Sequence, residues 1–236
     1  TIIDSQLKAA AAANIFVSAC CTIDPPKDGL NYVIGDANTN KVVGKDLAAL
    51  AAVNNNGSGS VLYVDLPVSP ILGAVKGAYS DGLSTYCSAC KTVSLDLTLA
   101  SIGKDAPDKI VSSVRANPDI KTVVLSVDAI GIGLAAALKA AGLSDKVYVV
   151  GEGPFPSTLT EIKEGLRGPS NVFPYYESMY SMVDAVARHV VGDPVAPTGE
   201  PSNWVVTKET VPAGDSGIFW LVTDGQAQFY KIWGVS

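Results

Sequence analysis

The sequence predicts an α/β fold of doubly wound, Rossmann-like lobes, and two observations carry that reading. Apolar β-branched runs alternate with Ala-rich helical stretches along the whole chain, as parallel strands covered by helices on both faces require. The 236 residues suffice for one large α/β domain or for two lobes of about a hundred residues each.

In chain order, strands are expected at Ile15 to Ala19, Tyr32 to Ile34, Ser60 to Asp65, Thr92 to Leu95, Thr122 to Ser126, Val147 to Val150 and Asn171 to Phe173. Between them, helices are expected over Asp4 to Ala13, Asn40 to Val53, Pro70 to Ser84, Pro107 to Ala116, Ile130 to Ala141, Ser157 to Glu164 and Met179 to Val191. Asp105 or Pro107 opens one helix, Asn117-Pro118 closes it, and Gly142 ends the next, each a residue whose backbone chemistry suits that position. The polar segment Asn54-Asn-Asn-Gly-Ser-Gly-Ser60 reads as a flexible lobe crossover. After Val211 come a Gly- and Ser-bearing loop, an apolar run Ile218 to Val222 and an aromatic terminal helix ending in Phe229-Tyr230-Lys231-Ile232-Trp233, a tail expected to pack back on its own protein.

Composition excludes several functions. The apolar runs are short, so no segment is expected to cross a bilayer. A net charge of -6 with both signs interspersed offers no basic stripe for phosphate, so nucleic acid is not an expected partner. Cys20-Cys21 and Cys87-Ser-Ala-Cys90 do not read as zinc sites, because the single His189 has no second His to help it. The CxxC pair leaves open a redox dithiol, a metal half-site and a small structural disulfide joining Cys87 to Cys90, the last of which fits an oxidising compartment. The chain holds no Gly-x-Ser-x-Gly elbow and no Gly-x-x-x-x-Gly-Lys loop, and Gly131-Ile-Gly133 lies within a helical pattern. No enzyme and no cofactor are expected.

From Ala9 onward the order of elements and several motifs resemble the type I periplasmic solute-binding proteins, the class of ribose-binding proteins and of lactose-repressor-type effector domains. The anchors are Ala12-Ala-Asn-Ile-Phe-Val17, Gly35-Asp36 followed by Gly44, Lys76-Gly77-Ala78-Tyr79, Pro118-Asp119-Ile120, Asp128 with Gly133, and Val149-Val150-Gly151. The terminal Ala227-Gln-Phe-Tyr-Lys-Ile-Trp-Gly-Val235 and the Cys87-x-x-Cys90-Lys91 turn resemble the transport branch.

The resemblance implies an extracytoplasmic (periplasmic or cell-surface) protein that closes two lobes around a small molecule and delivers it to the membrane permease of an ABC transporter. Its alternative is the effector-binding domain of a lactose-repressor-type transcription regulator. It further implies a truncated first lobe, lacking about a third of the natural protein, made of residues 1-57 and 174-202. The second lobe would hold residues 58-173 and 203-236.

Ligands of parallel α/β sheets bind beyond the carboxyl ends of the strands. The candidate contacts are therefore Cys21, Thr22, Asp36, Val68, Val127, Asp128, Glu152, Gly153, Phe173 and Tyr175, and the resemblance implies Val75 as a further one. Asp128 reads equally as a helix cap, and Tyr175 with Tyr176 as a ligand floor or a hinge seal. Glu152 stands out because a carboxylate after a buried strand is costly without a partner. Sugar-gripping relatives carry an Asp-Arg pair where this chain has Cys21 and Thr22, an Arg near Val75, an Asn at Val127 and an Asp at Gly153. The replacements cannot make the charged hydrogen bonds that hold sugar hydroxyls, which implies a less hydroxyl-rich ligand, with Glu152 and Asp128 as its polar contacts.

Overall fold

The computed structural model describes residues 3–199, 203–212 and 224–235. They fall into two compact units, and the apolar run at 218–222 lies outside the described residues.

The first unit draws on Thr1–Asn40, Pro174–Ser202 and Ile218–Ser236. Its parallel sheet has the order β1 (Ser18–Cys20), β2 (Tyr32–Ile34), β8 (Thr198–Gly199). On one face, Leu7 of α1 (Asp4–Ala12) packs with Leu30 and Val33. On the other, Tyr32 and Ile34 pack with Ala185 of α7 (Tyr175–Val191). The terminal helix α8 (Gly225–Trp233) docks on α7: Trp233 stacks on Tyr180 and donates from Nε1 to Asp184 at 2.9 Å.

Two expectations shift here. The first strand begins at Ser18 rather than Ile15, because Asn14 takes a left-handed conformation that folds Ile15 back onto the end of α1 and leaves its side chain exposed. The last long helix begins at Tyr175 rather than Met179, so both tyrosines sit in its first turn instead of on a loop.

The second unit, Lys41–Phe173 with Asn203–Gly217, holds a six-stranded sheet. Its strand order is β4 (Ala89–Asp96), β3 (Ser58–Asp65), β5 (Ile120–Leu125), β6 (Tyr148–Glu152), β7 (Ser170–Val172), β9 (Trp204–Val206). All pairs are parallel except β7 with β9, an antiparallel edge too short to show a period in the sequence. Helices α2 (Ala37–Asn54) and α3 (Pro70–Tyr86) contribute Val43, Leu47, Ala48, Val75 and Tyr79 to its core. They approach closely because Gly44 lies against the backbone of Val75 and Gly82 against Ala48. Helix α4 (Ala106–Ala116), helix α5 (Leu134–Ala140) and helix α6 (Pro156–Glu164) complete the alternation.

The division between units falls at residues 40 and 41 rather than at 57, since α2 buries its apolar face in the larger core. Packing on α7 likewise assigns α8 to the first unit rather than the second. The Asn54–Ser60 stretch is a hydrogen-bonded turn, not a flexible linker. Asn55 is fully buried and accepts from Thr122 Oγ1 at 2.6 Å, while Asn54 Nδ2 donates to the same hydroxyl at 2.8 Å. The helix expected from Ile130 starts only at Leu134, because Gly133 takes a left-handed backbone that breaks it from the short 3-10 turn Asp128–Gly131.

Candidate functional site

The carboxyl edge of the six-stranded sheet gathers a row of polar side chains that the strand registers bring level. Asp65 pairs with Asp96 across β3 and β4, and Glu152 pairs with Asn171 across β6 and β7. Val64 lies opposite Leu125 and Val124 opposite Val150. Continuing those registers places Ser126 level with both Asp65 and Glu152. Side chains alternate along a strand, so Asp96, Asp65, Ser126, Glu152 and Asn171 form one row on the α2/α3 face.

Side chains at both ends of that row have partners on the helices. Lys76 of α3 reaches Asp65 at 3.0 Å and Asp96 at 3.5 Å, its ammonium lying 5.9 Å from the centre of the Tyr63 ring. Asn171 Nδ2 donates to Asp46 of α2 at 2.7 Å. Ser126 Oγ, Asn171 Oδ1 and the Tyr63 hydroxyl are buried without a hydrogen-bond partner among the described residues. Glu152 is 7% exposed and has no ion pair among the described residues. Burial, aided by the negative charge of Asp128, pushes its carboxyl up to about 8. Buried polar groups are nearly always paired, and each exception here has room in its hydrogen bonding for a water, an ion or a ligand group.

The opposite face carries a buried ion-pair network, in which Arg167 Nε has no hydrogen-bond partner among the described residues. Asp128 is fully buried and accepts from Arg167 Nη2 at 2.6 Å and from Ser170 Oγ at 2.9 Å. Gly151 makes room for it, because a Cβ there would overlap the Asp128 carboxylate. Asp128 therefore neither caps a helix with its side chain nor presents a spare oxygen at the edge.

Above the row, the loops leaving four neighbouring strands each hold one exposed apolar side chain. They are Val68 after β3, Leu99 after β4, Ile132 after β5 and Phe155 after β6. Val127 is half-buried beside them, and Gly153 adopts a left-handed turn whose N–H is held by the Asn171 carbonyl. Phe173 is buried. Val75 sits in the core, fully buried, and does not reach the edge.

In the first unit, Cys21 is exposed at the end of β1 with a left-handed backbone and is joined to Cys20 by a disulfide. Thr22 Oγ1 accepts from the Asp24 amide, and Asp36 Oδ1 accepts from the amides of Asn38 and Thr39, holding the first turn of α2. Tyr175 is 45% exposed in the first turn of α7. A second disulfide joins Cys87 and Cys90 at the amino end of β4, away from the polar row.

The sequence reading missed Asp65, Lys76, Ser126, Arg167 and Asn171. Lys76 and Arg167 carry no local signal, since each meets its partner only through tertiary packing. Among the described residues no helix is long and apolar enough to cross a membrane, and no group of three His, Cys, Asp or Glu side chains could hold a metal ion.

Residues 1–194 match the model of a family described as periplasmic binding protein domain. No curated protein matches the sequence. Among solved structures, a solute-binding protein of an ABC transporter from Burkholderia graminis, in complex with D-arabinose, is 22% identical with a TM-score of 0.79, over 90% of this chain and 73% of that one. One from Agrobacterium vitis with bound D-fucose is 18% identical with a TM-score of 0.78, over 92% and 74%. A glucose-galactose binding protein from Geobacillus stearothermophilus is 19% identical with a TM-score of 0.76, over 87% and 72%.

Proposed function

Since the chain belongs to the periplasmic binding protein domain family, we propose that it is an extracytoplasmic solute-binding protein. It captures a monosaccharide-sized molecule at the carboxyl edge of its parallel strands and delivers it to the permease of an ABC transporter. The match over residues 1–194 is the observation that carries this reading. The strand-end location follows from the general rule for parallel α/β sheets, and the solved relatives named above hold D-arabinose and D-fucose.

The ligand is gripped by fewer charged groups than a pentose or hexose in the ribose-binding class. The lip is apolar at Val68, Val127, Ile132 and Phe155, and Glu152 is a buried carboxyl at the edge with no ion pair among the described residues. Apolar side chains suit the C–H faces of a ring, and a few convergent polar groups set its orientation. A deoxy sugar or a short polar metabolite fits this description better than a fully hydroxylated hexose.

A thermal-shift screen of the 236-residue chain against pentoses, hexoses, deoxy sugars, polyols and amino acids tests the proposal. A ligand at a hundred times its Kd adds about 2.7 kcal/mol to stability, a shift of several degrees. One selective class of hits supports it; a folded protein that no member stabilises speaks against it.

A further inference from the structure

From the polar row at the carboxyl edge we infer that the bound solute carries a primary ammonium group, as an amino sugar does, seated against Glu152 with Ser126 Oγ and Asn171 Oδ1 as further acceptors. This deepens the solute-binding reading and rests on it.

Three observations support it. First, the three side chains occupy adjacent positions just after β5 and at the ends of β6 and β7, on one face, with neighbouring strands about 4.8 Å apart. A small cationic head is of the size that such a span brackets. Second, every unpartnered oxygen at this place can accept: Asn171 Oδ1 accepts only, the Ser126 and Tyr63 hydroxyls accept as well as donate, and Glu152 only accepts once ionised. An ammonium group supplies three donors and no acceptor, the complement of that set.

Third, the charge is unbalanced. Asp46, Asp65, Asp96, Asp128 and Glu152 share this edge with Lys76 and Arg167, and both cations are already committed, Lys76 to Asp65 and Asp96 and Arg167 to Asp128. Asp46 leans only on the neutral Asn171 amide. A neutral solute leaves Glu152 protonated, whereas an ammonium stabilises its carboxylate form in a poorly solvated setting where charge-assisted hydrogen bonds are strong. The groups around Glu152 are then Asp128 from the turn after β5, Ser126 just past the end of β5, Tyr63 and Asp65 on β3, and Asn171 with Asp46 from β7 and α2. None of them is a free cation.

Binding couples to a proton. Without ligand at pH 7 Glu152 is mostly protonated, since burial and Asp128 raise it to about 8. The arriving ammonium stabilises the carboxylate, and the proton leaves to solvent.

The test is isothermal titration at pH 7 of matched pairs, D-glucose with D-glucosamine and D-galactose with D-galactosamine, in two buffers of different ionisation enthalpy. The ammonium member of one pair is expected to bind about tenfold or more tightly than its neutral partner and to release a proton on binding, which the neutral member does not. In Glu152→Gln, with an unchanged circular dichroism spectrum, the two affinities converge and proton release disappears; Ser126→Ala narrows the gap. A neutral sugar that binds as tightly as its amino partner, or a preference that survives Glu152→Gln, overturns the inference and leaves the solute-binding reading standing. Binding of neither member of either pair, by a chain that the wider screen shows to bind a non-amino solute, also overturns it. A chain that binds nothing in either experiment removes both.

Discussion

Asp128 and Arg167, thirty-nine positions apart in the sequence, meet at 2.6 Å with side-chain exposures of 0% and 2%. The pair ties the turn after β5 to the loop before β7, and Ser170 completes the carboxylate's coordination. It holds still the two segments that flank Glu152. Arg167→Met leaves a buried carboxylate with its counter-charge removed, a change that costs about 3–5 kcal/mol. Urea unfolding of the chain is expected to show that loss, whereas the double variant Arg167→Met with Asp128→Leu recovers most of it. A double variant no more stable than the single one contradicts the ion-pair account.

Gly151 owes its identity to the same pair. A methyl group added there overlaps the Asp128 carboxylate, although the backbone at Gly151 is not left-handed. Gly151→Ala therefore destabilises by about 2–4 kcal/mol through overpacking and a displaced ion pair. In Asp128→Ala, which empties that space, the further cost of Gly151→Ala falls below about 1 kcal/mol. Thermal melts of the four proteins in this cycle give the comparison.

Glu152 makes stability fall with rising pH. Its carboxyl is raised from 4.5 to about 8, so the folded chain holds a proton that the unfolded chain has already released. The stabilisation is complete below about pH 4.5 and is lost progressively until the pH passes about 8, on the order of a few kcal/mol in all. Glu152→Gln removes this slope and is the more stable form at pH 9. Melting temperatures of both proteins from pH 5 to 9 check this; parallel profiles refute the assignment.

Asn55 tests the turn that replaces the expected linker. Its side chain accepts from Thr122 and donates to the Ser60 carbonyl from a fully buried position. Asn55→Ala leaves those groups without their partner and costs about 1–3 kcal/mol, where a flexible linker residue would cost nothing measurable. Denaturant midpoints with an unchanged m-value report it.

Much of this fold is legible in the sequence, because burial on both faces writes strands such as Val61–Val64 and Val123–Leu125 as apolar runs and helices as Ala-rich periods between them. Tyr32–Ile34 falls where the pattern puts it. The misplacements have local causes: Gly133 and Asn14 break backbone regularity, and the Asn54–Ser60 composition looks flexible while its amides are engaged in tertiary hydrogen bonds. The site is less legible. Glu152 shows itself as a carboxylate after an apolar strand, but Ser126 and Asn171 join it only through strand register, which no single segment encodes. Arg167 follows a helix-ending glycine and gives no hint of Asp128.

The central claim is that a small solute binds at the carboxyl edge of β5 and β6. Its most direct test is a calorimetric titration of the best ligand from the screen against the unaltered chain and against Val127→Arg, whose half-buried native side chain borders that edge. The account predicts that binding weakens at least about tenfold in the variant while the melting temperature without ligand moves by no more than a few degrees. Equal affinity for both proteins would place the solute elsewhere and contradict the account.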